Sequence, residues 1–339
     1  MSETISRFSG TRSGDIIVGS QPGVDVSVLR IDNGRVMVVS CDPVSFIPSI
    51  GPKASATMSV YEVASDVATS GIPPKYAVID LNLPPHLSDG VLKQYWRSFH
   101  EACLGIGLSI VGGHTGRFEG CDFSVIGGAT LWTFCGDQDY VTSSMAEDGD
   151  DLLATKSAAF GATSVLTRVF PKTVRRVLGD VAFAEAWKYF PESNTVRDAL
   201  TAARVGIHER GVTGMHDATE GGVLAAIHEI ASASRLGALI DLDQIRVTEE
   251  TLQLCRFFGI DPLTSLGEGC LVIAAKPHRT HRIMNRLKSN GINATVVGRF
   301  SSKTKGVFST TKGRRKRVRY PSVDPYWQAY WKGVRRGWA

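Results

Sequence analysis

The chain has no run of eighteen or so uncharged apolar residues, the length a membrane span requires, so no membrane-crossing helix is expected. Its first residues, Met1-Ser-Glu-Thr-Ile-Ser-Arg7, lack the basic-then-apolar order of a secretory signal, and a cytoplasmic location is the expectation. Cysteine is sparse: Cys41, Cys103, Cys121, Cys135, Cys255 and Cys270 show neither a CxxC pair nor paired spacing. That excludes a disulfide framework and a zinc knuckle, and leaves reduced, partly buried thiols acting as small hydrophobes. A Walker A sequence is missing, as is a GxGxxG turn with its strand and acidic partner, which argues against P-loop and Rossmann nucleotide sites. Tandem repeats and low-complexity tracts are also absent.

What remains is ordinary globular composition. The 339 residues are 43% hydrophobic and 21% charged, enough for two domains. The net charge of +5 conceals an asymmetry, because residues 301 to 339 hold eleven Lys/Arg against the single acid Asp324. The body is therefore mildly acidic. The run Lys312-Gly-Arg-Arg-Lys-Arg-Val-Arg319 suits a solvated basic edge strand or hairpin, with a polyanion such as nucleic acid as the alternative partner. The aromatic set Tyr326, Trp327, Tyr330, Trp331 and Trp338 has two readings as well: base stacking, or docking of the C-terminus onto the body.

Periodicity predicts strands over 35–40, 75–83, 108–111 and 123–134, with a helix at 54–70 and another opened by Ser88-Asp89 and closed near Gly105 and Gly107. After the acidic stretch 147–151 the texture becomes alternating strand and helix, with helices at 223–234, 248–258 and 281–289 and strands at 238–242, 270–275 and 294–297. An α/β (α+β) fold is expected, with domains over 1–140 and 141–339.

Five segments place a polar residue beside small ones at a strand or helix end: Gly23-Val-Asp25, Ser40-Cys-Asp42-Pro43, Ala64-Ser-Asp66, Gly112-Gly113-His114-Thr115-Gly116, and His216-Asp217-Ala-Thr-Glu220-Gly221-Gly222. Magnesium takes carboxylate and phosphate oxygens, so converging aspartates and glycine-rich turns suggest a metal-nucleotide site. Each segment also has a plain reading. An aspartate after a strand caps helices or forms turns, Gly221-Gly222 either offers N–H groups to a phosphate or permits close packing, and His114 and His216 suit polar active-site roles or structural hydrogen bonds.

The order of these segments resembles the PurM-like, AIR synthase-related ATP-binding superfamily, most closely its HypE-like branch, over nearly the whole chain. The resemblance implies an N-terminal ATP-binding domain that pairs with its copy in a homodimeric β-barrel, beside a C-terminal α+β domain. It implies Asp25, Asp66 and Asp217 as magnesium ligands, with Asp42 a fourth candidate, while Val24 stands where the family has a further Asp. Gly112, Gly113, His114 and Thr115 match the turn near the phosphates, Gly221 and Gly222 are cofactor-binding candidates, and His114, Asp217 and Glu220 are the catalytic candidates. The implied cofactors are ATP and Mg2+.

The resemblance also implies chemistry: ATP-dependent phosphorylation of an amide-type or other small-molecule oxygen, on a free or protein-borne substrate. HypE relatives carry their substrate on a terminal Pro-Arg-Ile-Cys, whereas this sequence reads Arg336-Gly-Trp-Ala339 there and its last cysteine is Cys270. Residues 1 to 40 hold none of the cysteine that selenophosphate synthetases use. The alternatives are a direct small-molecule kinase like thiamine-monophosphate kinase, and a non-catalytic dimeric nucleotide-binding or scaffold protein.

Overall fold

A computed structural model describes residues 9–11, 13–311 and 314–339. The opening residues read for a secretory signal lie outside the described residues, as do Lys312 and Gly313 of the basic run. Thirteen strands and ten α-helices are described, and the strands form two sheets.

The first sheet holds β1 (Ile16–Val18), β2 (Ser27–Asp32), β3 (Arg35–Ser45), β4 (Tyr76–Leu83), β5 (Ser109–Arg117) and β6 (Val125–Gly136) in the order β1-β2-β3-β6-β4-β5. Helix α1 (Gly51–Ala68) connects β3 to β4, and α2 (Asp89–Ile106) crosses from β4 to its parallel neighbour β5. The α2 boundaries follow from capping. Ser88 Oγ accepts the Val91 N–H, and Gly107 ends the helix in the left-handed conformation that glycine adopts without strain.

Two local expectations fail for long-range reasons. Asp42-Pro43, expected beyond the end of a strand, lies within β3, which pairs with β6 from end to end. β2 pairs with β3 only as far as Val39, so that edge is open where the proline falls and its missing N–H is tolerated. Gly112-Gly113-His114-Thr115 is not a turn but the middle of β5. Gly113, at φ +153°, is needed because a Cβ there would overlap the Ile79 carbonyl oxygen of β4.

The second sheet contains β7 (Asp151–Thr155), β8 (Val212–Asp217), β9 (Gly237–Ile240), β10 (Leu271–Ala275), β11 (Ala294–Ser301), β12 (Val307–Thr311) and β13 (Arg314–Arg317), in the order β13-β12-β9-β11-β7-β10-β8. Its helices are α3 (Phe160–Val169), α4 (Pro171–Trp187), α5 (Tyr189–Glu192), α6 (Val196–Ala203), α7 (Gly222–Ala233), α8 (Glu249–Phe258), α9 (Pro277–Ser289) and α10 (Pro325–Arg335). The basic run thus supplies an edge strand, β13, antiparallel to β12. The C-terminal aromatics dock: Tyr326 is buried, and Tyr330 and Trp338 pack on the cluster around Phe170.

Helix α1 lies between the sheets. Val60, Val63, Ala64 and Val67 share one core with strands of the first sheet and with Val196, Met215 and Leu271 of the second unit. Serines lace it in place. Ser59 Oγ accepts the Ser45 N–H and donates to the Ser45 carbonyl, and Ser65 Oγ accepts the Thr195 N–H at 3.0 Å. The six-stranded sheet is open within one chain, with β1 and β5 at its edges.

Candidate active site

A cavity of about 440 Å³ lies between the two sheets, reached from both halves of the chain. Helix α1 turns Met58 and Glu62 toward it, and Asp66 follows one turn later on the same face. Asp25 comes from the segment before β2, Asp42 from β3, Asp217 from the end of β8 and Glu220 from the turn into α7. Glu268 completes the lining from the loop before β10. Among the described residues lining the cavity, none is Lys or Arg.

Crowded carboxylates out of water disfavour their own ionisation. Burial, followed by the charge of Glu220, pushes Asp42 up to about 6. Burial and then neighbouring carboxylates raise Glu62 to about 8 and Asp66 well above the carboxylate range. Asp217 rises to about 8 through burial and the nearby Asp25, and burial raises Glu268 well above its ordinary value. Ser40 Oγ donates to Asp66 Oδ2 at 2.6 Å and holds that carboxylate in position.

His216 is buried among acceptors. Nδ1 lies 3.1 Å from Asp25 Oδ1 and 2.8 Å from the Asp217 carbonyl oxygen, and Nε2 lies 3.2 Å from Glu229 Oε2. Burial works against the imidazolium, but the carboxylates of Asp25, Glu229 and Asp217 outweigh it and raise the histidine to about 10. Nδ1 is in hydrogen-bond contact with the Asp217 carbonyl oxygen and both nitrogens face carboxylates, surroundings that favour the charged ring.

The donor set fits a hard cation. Asp25 and Asp217 bring ligand oxygens within 4.8 Å of one another in the group they form with His216. Asp25 Oδ2 and Asp217 Oδ1 are buried without hydrogen-bond partners, an arrangement that a divalent ion between carboxylates would satisfy. Asp66 and Asp42 line the same cavity, so the four aspartates singled out in the sequence converge here, with Glu220.

The glycine-rich segments do not join them. Gly112, Gly113, His114 and Thr115 lie on the exposed edge strand β5, outside the cavity of the single chain. Gly221 and Gly222 start α7, but their N–H groups are already used: Gly221 donates to Asp324 Oδ2 at 2.9 Å and Gly222 to the Thr219 carbonyl at 3.1 Å. A Cβ on Gly222 would sit 2.6 Å from the Ser265 carbonyl oxygen, so close packing explains this pair in place of the phosphate cradle expected. Glu62, Glu268 and Glu229 were not expected from the sequence, and the aromatics of α10, expected to stack bases or dock the C-terminus, also line the cavity. Glu62 was accessible, since it precedes Asp66 by one helical turn, whereas nothing local marks Glu268.

Two α/β units joined through a buried helix, with carboxylates from both meeting in one cavity, define a two-domain acid-lined catalytic architecture. The chain belongs to the AIR synthase related family: residues 23–131 match the model of its N-terminal domain and residues 147–310 that of its C-terminal domain. It is 25% identical over 284 residues to the carbamoyl dehydratase HypE of Rhizobium leguminosarum bv. viciae, covering 81% of this chain and 76% of that protein. A solved structure of the hydrogenase maturation protein HypE in complex with ATP superposes with a TM-score of 0.70 at 21% identity, over 88% of this chain and 89% of the other. AaThiL complexed with AMPPCP and TMP gives 0.67 at 17% identity, over 87% and 89% respectively.

Proposed function

We propose that this chain is a magnesium- and ATP-dependent enzyme that transfers the γ-phosphoryl group to an oxygen of a small molecule or of a protein-borne group. The observation that carries the reading is the meeting of Asp25, Asp42, Asp66 and Asp217 in a cavity with no Lys or Arg among the described residues that line it. A triphosphate approaching these carboxylates alone would be repelled, so the site calls for cations between the two sets of oxygens. Asp25, Asp66 and Asp217 would hold magnesium, with Asp42 beside them. Bound there, magnesium would neutralise charge on the phosphates. In the transfer, the substrate oxygen bonds to the γ-phosphorus as the bond to the ADP oxygen breaks.

The related HypE bound to ATP and ThiL bound to AMPPCP support a nucleotide in this fold. For the acceptor, an amide-type oxygen, as the carbamoyl dehydratase relative suggests, is our first reading. A direct kinase reaction that releases the phosphorylated product is the second. Because β5 is an exposed edge, Gly112 to Thr115 would act across the boundary of a homodimer and not within one chain.

Calorimetric titration with AMPPCP tests the reading. Wild type should bind only with magnesium present, and Asp66→Asn should weaken binding by about tenfold or more, the loss of one charged oxygen ligand. Magnesium-independent binding, or an unaffected Asp66→Asn variant, would reject it in favour of a scaffold protein. Trapping a phosphorylated product in place of free phosphate would favour the kinase.

A further inference from the structure

Helix α10 gives the cavity a wall that lies beyond both family matches, the later of which ends at residue 310. The helix is firmly seated. Asp324 Oδ1 accepts the Tyr326 N–H at 2.8 Å while Oδ2 accepts the Gly221 N–H at 2.9 Å, so one carboxylate joins the starts of α10 and α7. Further along, a Cβ on Gly333 would lie 2.5 Å from the Phe170 ring, a measure of how closely the helix packs.

Residues 326, 327, 330 and 331 fall on one face of the helix, and all four aromatic rings line the cavity. Trp327 and Trp331 remain 43% and 51% exposed, although burying them would remove the most apolar surface from water. Carboxylates share that cavity. Glu62, Glu220 and Glu268 line it with the aromatic rings, and Glu268 keeps a buried Oε2 without a hydrogen-bond partner. The cations of the helix, Lys332 and Arg335, line an adjoining groove on the other side of Trp327 and Trp331.

Aromatic faces carry negative potential, and so do carboxylates, so a cavity combining them repels a second anion and attracts a positively charged nitrogen. Asp25, Asp66 and Asp217 are assigned to magnesium, and Glu62, Glu220 and Glu268 are further carboxylates that line the cavity together with the aromatic wall. We propose that this wall is the substrate subsite and that it recognises a cationic nitrogen, held between the Trp327 and Trp331 rings and the carboxylates of Glu62 and Glu220. This rests on the phosphoryl-transfer reading for what the bound molecule undergoes, but not for whether it binds.

Choline and its uncharged isostere 3,3-dimethylbutanol are the probes, titrated by calorimetry and tryptophan fluorescence into protein with and without magnesium and AMPPCP. Choline should bind about tenfold more tightly than the isostere, the size of effect that a desolvated cation over aromatic rings gives. Trp331→Leu and Glu62→Gln should each weaken choline about fivefold or more. AMPPCP titration of the same variants separates the two ideas. If AMPPCP fails to bind while choline binds selectively, the nucleotide reading fails and the subsite stands. Equal binding of the two probes, no choline binding at millimolar concentration, or choline binding indifferent to both substitutions would overturn the subsite.

Discussion

Glu62 is an acid and His216 a base lining the same cavity, yet both shift stability with pH in one direction. Burial and neighbouring carboxylates raise Glu62 from 4.5 to about 8, so the folded protein binds more protons there than the unfolded chain within that window. Stability from this group is therefore present at the acid end and is lost as pH rises through the window. His216, raised from 6.5 to about 10 where the carboxylates outweigh its burial, contributes stability that is complete below 6.5 and is lost toward 10. Groups held below their ordinary values, such as Asp32 and Asp148, lose their contributions only on further acidification. Metal-free protein should accordingly melt at a higher temperature near about pH 5.5 than near about pH 8, as scanning calorimetry in EDTA would show. Magnesium with AMPPCP should raise the melting temperature more at the higher pH, because cations bind the ionised carboxylates. A melting temperature that climbs with pH in the metal-free protein would contradict the crowding of charge described for this cavity.

Helix and strand boundaries were readable where the determinants are local, as with Ser88 and Gly107 around α2. The convergence of Asp25, Asp42, Asp66 and Asp217 was readable only through their order along the chain, since three different elements and the segment before β2 deliver them. What escaped depends on distant partners. Gly112-Gly113 looks like a turn until the Ile79 carbonyl of the neighbouring strand is in place, and Gly221 looks like an open phosphate site until Asp324 arrives from 103 residues away. Asp324 thus connects two elements that no sequence window contains together. Asp324→Ala should remove both capping interactions, each worth about 1 kcal/mol, and lower the melting temperature measurably. Asp324→Asn should recover part of the loss, because its amide oxygen still accepts from one helix start. The alanine variant should also weaken choline binding, since α10 would no longer be held against α7. An alanine variant that melts like wild type would show that α10 is seated by its apolar packing alone.

Among the sheet edges of the fold, β5 is one that stands exposed. β5 pairs with β4 on one side and with no described strand on the other, and its residues are mostly exposed, with Val111 at 54%. Exposed Phe118 directly follows β5, so apolar surface accompanies the free backbone groups. An uncovered, apolar edge strand invites pairing with another chain, and a closed interface between two copies is the ordinary way to satisfy it. A homodimer joined along β5 would also bring Gly112, His114 and Thr115 of each copy to the shared boundary, the arrangement in which those residues could take part in the reaction. Light scattering on wild type should give twice the chain mass of 36.6 kDa. Val111→Lys places an unpaired charge in the middle of that contact and should shift the population to monomer at micromolar concentration while leaving the melting of the single chain cooperative. A monomeric wild type would end the dimer reading, and a Val111→Lys dimer with unchanged dissociation would move the interface to another face.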